Sequence, residues 1–143
     1  MADFQKGFAA YMDCDFAAAL REFRPLATQG NKDAQFNLGV MYEGGEGVAQ
    51  DDVQAAVWYR KSAEQGLSLA QHRLGISYRE GIGVPKDYVQ AHMWFNLAAC
   101  RKRFKRAAED QDKLEELMTP TQIAEGQRLA REWTEKHPDP DTR

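Results

Sequence analysis

The sequence predicts an all-α chain built from stacked helix pairs, and three observations predict it. Residues 34–48 read AQFNLGVMYEGGEGV and residues 70–84 read AQHRLGISYREGIGV, nearly the same phrase 36 positions later. The echo continues in DDVQAAVWY from Asp51 and DYVQAHMWF from Asp87. Apolar residues recur three and four apart in each segment, and no stretch alternates apolar with polar as a half-buried strand does. A fixed period of this size marks a repeat architecture, in which each unit buries its apolar face on the next. The 143 residues suit one domain and leave room for about eight antiparallel helices.

The first helix is expected over about residues 3 to 13, followed by the short turn MDCD with Cys14 where a glycine would be expected. The second comes from DFAAALREFRPLATQG, residues 15–30, an imperfect copy: Asp15, Ala19, Phe23 and Gly30 precede Asp51, Ala55, Tyr59 and Gly66 by 36. Asn31 is the N-cap of the third helix, whose apolar positions Ala34, Leu38, Met41 and Tyr42 share a face. Gly44, Gly45 and Gly47 then break it into a loop. The fourth opens at Asp51 with Gln54 three residues on, the pattern of a capping box, and ends at Gly66. The fifth and sixth repeat this plan, with Asp87 and Gln90 as the second pair. Gly39 and Gly75 sit mid-helix, each at a cost of about 1 kcal/mol relative to alanine. Close approach of the paired helix explains that cost, with Trp58 or Trp94 lying over the missing side chain.

After Ala99 the register dissolves, and lysine stands at position 102 where the cap glycine belongs. A seventh helix is expected from Phe104 to Met118. The eighth starts at TPTQIAEGQRLAREW, with Thr119 as N-cap, Pro120 at the first helical position and Gln122 completing a capping box. The organisation is a single solenoid-like domain over 1–136, with units at about 3–30, 31–66 and 67–100 and closing helices over 104–136. HPDPDTR, 137–143, is a polar tail.

Composition and motifs exclude most chemistry. The net charge is −3 and the pI near 5.6, which argues against nucleic acid or an anionic membrane as partner. No apolar run reaches a membrane span, so direct insertion is not expected. No dinucleotide fingerprint, P-loop, zincin or serine-hydrolase motif is present. GGEGV and GIGV are repeat punctuation rather than a phosphate cradle. His72, His92 and His137, with Cys14 and Cys100, show no zinc spacing. No catalytic residue, cofactor or metal is therefore expected, and Trp58, Trp94, Tyr42, Tyr78 and Phe95 are assigned to the core. RKRFKR, 101–106, either docks an acidic partner or is a solvated connector in which Lys105 and Arg106 meet Glu109 and Asp110 at i, i+4; the second is favoured. Cys14 and Cys100 are expected to stay unbonded to each other.

The phrases A-x-x-x-L-G-x-x-Y-x-x-G-x-G-V and D-x-x-x-A-x-x-W-Y/F-x-x-A-A resemble the Sel-1-like repeat, a relative of the tetratricopeptide repeat. Ala34 to Gly66 and Ala70 to Ala99 match closely, and the first unit and the MTPTQIAEGQRLAREW helix resemble parts around such repeats in bacterial proteins. The resemblance implies an α/α solenoid that acts as a protein-interaction scaffold. Some relatives pair two cysteines within each repeat, and this chain departs from that subclass. Family members are often exported, so the start MADFQKG fits a periplasmic chain that has lost a signal segment as well as a cytoplasmic one.

The expected function is a non-catalytic adaptor, a monomer that binds a peptide or protein. The alternative is a structural or self-associating module, or a fragment of a larger array. On the third helix, Ala34, Leu38 and Tyr42 face the core, and Phe36, Val40 and Glu43 lie about 180° away at 100° per residue. The next unit places His72, Ile76 and Arg79 there, and Phe8 and Tyr11 extend the row from the first helix. By the resemblance this stripe lines a concave surface and holds the partner, with Glu43 and Arg79 setting its orientation. The competing expectation is that neighbouring helices, or the C-terminal helix folding back, bury it.

Overall fold

The computed structural model describes residues 1–102 and 104–138. Among them are eight helices and no strand: α1 Phe4–Met12, α2 Phe16–Thr28, α3 Lys32–Gly44, α4 Asp52–Glu64, α5 Ser68–Glu80, α6 Tyr88–Lys102, α7 Lys105–Glu115 and α8 Pro120–Lys136. Consecutive helices pack through α6, so the chain zigzags as a stack of pairs. Residues 139–143 of the expected tail and Arg103 of the basic run lie outside the described residues.

The helix starts follow from local hydrogen bonding. Asp3 caps α1, Asp15 caps α2 and Asn31 caps α3, each side chain accepting an N–H from the first turn. Asp51 accepts from the Val53 and Gln54 amides, which makes it a simple N-cap instead of the expected reciprocal box. The full box forms at α8: Thr119 Oγ1 accepts from Gln122 N at 3.2 Å, and Gln122 Oε1 accepts from Thr119 N at 2.9 Å. In the first turn Cys14 holds φ 60°, the left-handed conformation that glycines adopt in the later loops.

Three apolar clusters run along the stack. Leu20, Phe23, Leu38 and Met41 fill the first; Leu74, Met93, Trp94 and Leu97, with Trp133 against them, fill the second; Phe95, Leu114 and Met118 fill the third. Trp94 and Phe95 are buried, whereas Trp58, Tyr42 and Tyr78 are only half-buried at the margin. The mid-helix glycines do mark close approach, but the tryptophans are not what lies over them. A Cβ at Gly39 would sit 2.5 Å from Tyr59 Cε1, and one at Gly75 2.5 Å from Phe95 Cδ1. The contact falls one residue, 100° of helix, beyond the expected one.

The closing helices depart from the pair plan. Both α7 and α8 pack on α6, and α8 lends Leu129, Ala130 and Trp133 to the second cluster. The expected ion pairs within α7 are replaced by tertiary ones. Asp110 Oδ2 lies 2.6 Å from His72 Nε2 and Asp110 Oδ1 3.7 Å from Arg79 Nη1. Glu115 Oε1 lies 2.9 Å from His92 Nε2. Asp110 and Glu115 turn inward because two buried imidazoles on α5 and α6 need hydrogen-bond partners, while Glu109 and Asp112 stay exposed.

Candidate functional site

α3 and α5 hold equivalent places in their units, so residues 36 apart fall into line along the stack: Phe36 with His72, Val40 with Ile76, Glu43 with Arg79. On α1, Phe8 is exposed, its ring 6.1 Å from that of Phe4. Tyr11 is half-buried and donates to Glu46 Oε1 at 2.9 Å. Burial first, and the Glu46 carboxylate second, push the Tyr11 phenol up to about 12.

On α3, Phe36 and Val40 are half-buried, and the Phe36 ring centroid lies 5.8 Å from that of Tyr59. Glu43 is exposed, accepts the Tyr59 hydroxyl and stands 3.5 Å from Arg73 Nη1. Burial and then the Glu43 hydrogen bond raise the Tyr59 phenol well above its ordinary range. On α5, His72 is only 5% exposed. Its Nε2 faces Asp110, so that nitrogen carries the proton and donates. The edge of Phe104 meets the same ring at 5.0 Å. Ile76 is half-buried against the third cluster. Arg79 donates to Glu80 at 2.8 Å, reaches Asp110 and lies over the Phe95 ring.

The row is therefore not uniform. Its α5 end lies beneath the start of α7, and its α3 end stays open. Where the two meet is a cavity of about 310 Å³ lined by Phe36, Leu69, His72, Arg73, Ile76, Phe104 and Arg106. It brings together three of the eight residues expected in the stripe; Phe8, Tyr11, Val40, Glu43 and Arg79 do not line it. Leu69, Arg73, Phe104 and Arg106 are the lining residues that the stripe omitted. RKRFKR held a signal for two of them, since it sets an aromatic among cations, but nothing local fixed the direction in which that segment returns. Among the described residues no group of three or more His, Cys, Asp or Glu is placed to hold a metal ion. No described helix is long and apolar enough to cross a membrane.

The Sel1 repeat family model matches residues 32–67 and 68–102. Among solved structures, a protective antigen present in uropathogenic Escherichia coli strains, displaying an SLR fold, is similar at 39% identity with a TM-score of 0.87. The match covers 92% of this chain and 29% of that one. A Sel1 repeat protein from Oxalobacter formigenes is similar at 32% identity and a TM-score of 0.74, over 78% of this chain and 46% of that one. The chain thus spans less than half the length of either. No curated protein matches it.

Proposed function

Because this chain is a Sel1 repeat protein, and such proteins generally serve as protein-interaction scaffolds, we propose that it is a non-catalytic adaptor holding a peptide or protein segment on its concave face. The contact surface is the open part of the α3–α5 row, centred on the cavity between Phe36, Leu69 and Ile76. The observation that carries this reading is partly uncovered apolar surface inside a concavity: Leu69 is 49% exposed and Phe36 and Ile76 half-buried. Clustered apolar surface of this kind, rimmed by polar groups, marks interaction sites. The polar side chains suit positioning more than catalysis, since His72 is engaged by Asp110 beneath α7.

The test is Phe36→Ala combined with Leu69→Ala, in pull-downs from extracts of the source organism. Phe36 packs on Tyr59 and on the second cluster, so the two truncations together are expected to cost about 1–3 kcal/mol while circular dichroism still reports a folded helical chain, and to abolish capture of the partner recovered with the native chain. Undiminished capture by a folded double variant would sink the concave-face assignment. A second reading, self-association, draws on another surface: Val53, Val57 and Ile82 are 58%, 40% and 42% exposed, the two valines beside a separate crevice. Sedimentation at rising protein concentration separates the two, because an adaptor stays monomeric.

A further inference from the structure

The chain is acidic overall, yet among the described residues the cavity between α3, α5 and α7 is lined by two guanidinium groups and by no carboxylate. Arg106 is exposed and makes no ion pair among the described residues. Arg73 is exposed, and its one ion pair among the described residues is with Glu43 at 3.5 Å, with both side chains more than 40% exposed. An exposed pair of that kind is weak and readily exchanged for another carboxylate. Between the two arginines the wall is apolar: Phe36, Leu69, Ile76 and Phe104.

The covered end of the same row shows what these side chains accept. There the chain supplies its own occupant, the start of α7. It sets an aromatic edge against His72 through Phe104, and a carboxylate between His72 and Arg79 through Asp110. An aromatic group and an acid six residues later, Phe104 and Asp110, are therefore already seated on α5, and Phe104 also forms part of the cavity wall. The open end repeats the combination of apolar wall and cations, and its acid is only the exposed Glu43, 3.5 Å from Arg73 Nη1.

Resting on the concave-face reading, we infer that the partner is an acidic segment. One bulky apolar side chain enters the cavity, and neighbouring Asp or Glu carboxylates reach Arg73 and Arg106. Two arginines can hold carboxylates by paired N–H donors, which fixes direction as well as charge. The apolar wall makes a peptide a better fit than a bare anion, which would leave Phe36 and Leu69 uncovered.

The test uses two short fluorescein-labelled peptides, each with a central Leu-Phe pair, flanked in one by glutamates and in the other by lysines. Fluorescence anisotropy against the full chain is expected to show saturable binding of the acidic peptide alone, weakening with added salt. Arg106→Ala is the fold-preserving variant. Arg73→Glu with Arg106→Glu should weaken acidic-peptide binding by at least about tenfold, a change of 1.4 kcal/mol. The acidic class is overturned if the lysine peptide binds as well. It is also overturned if the acidic peptide fails to saturate by about 1 mM, the weak end of measurable affinity, or if the arginine variants bind unchanged. Lysine-peptide binding that Phe36→Ala with Leu69→Ala abolishes would overturn the charge assignment and leave the concave face standing. Peptide binding that neither pair of substitutions alters would remove both.

Discussion

At Gly39 a single absent methyl group decides how α3 meets α4. An added Cβ would lie 2.5 Å from an aromatic carbon of Tyr59, a side chain only 2% exposed and unable to swing away. Gly39→Ala should therefore lower stability by about 1–3 kcal/mol through overpacking, despite the gain of about 1 kcal/mol in helix propensity. Denaturant melts showing equal or greater stability would contradict the close approach. The same tyrosine carries a pH dependence. Its phenol and that of Tyr11 have raised pKa values in the fold, chiefly by burial and then by their glutamate partners. A raised folded pKa means that this contribution to stability is complete below the ordinary phenol value and declines as pH climbs through the folded one. Thermal stability is thus expected to hold up to about pH 10 and to fall toward pH 12, where Tyr11 titrates. Tyr59→Phe should fall less steeply, and parallel curves for the two proteins would refute the assignment. The sequence made the glycines legible, because a helix-weakening residue at one register of two repeats needs a cause. It left the neighbour ambiguous, because positions 58 and 59 both fit within a broad apolar face.

Among the elements, α7 buries few side chains. Its buried residues are Ala107 and Leu114, and its remaining hold is polar, through Asp110 and Glu115 to the two buried histidines. Asp110→Ala would leave the His72 donor without its carboxylate, a loss of about 1–3 kcal/mol. Hydrogen exchange should accelerate in α7 while α3 and α4 keep their protection; unchanged protection in α7 would show that Ala107 and Leu114 suffice. Helices α1 to α6 were legible because caps, loop glycines and apolar spacing are local signals, repeated twice. The path of α7 was not. It rests on a pair separated by 38 residues, His72 with Asp110, and on another separated by 23, His92 with Glu115. No periodicity encodes such partners. An i, i+4 reading of α7 sees only its own surface, so the cavity that α7 closes could not be drawn from the stripe alone.

For the molecule as a whole, the glycine loops do more than end helices. Gly47 rests on the start of α2, where a Cβ would come 2.8 Å from Phe16 Cβ, and Gly83 rests on the start of α4, against the Asp52 carbonyl. Both have positive φ, 73° and 76°, which side chains resist. Each loop is thus wedged against the preceding unit at backbone thickness. It acts as a spacer gauge that sets the pitch of the superhelix, much as a washer sets the gap between two plates. Thickening the washer by one carbon, as in Gly83→Ala, should tilt everything after α4 away from everything before it. Small-angle scattering is expected to report a larger radius of gyration at unchanged helical content, and an unaltered profile would show that the gap is set elsewhere. The width of the cavity proposed to receive a partner, bounded by Phe36 on one unit and Leu69 on the next, is then governed by a residue that does not line it.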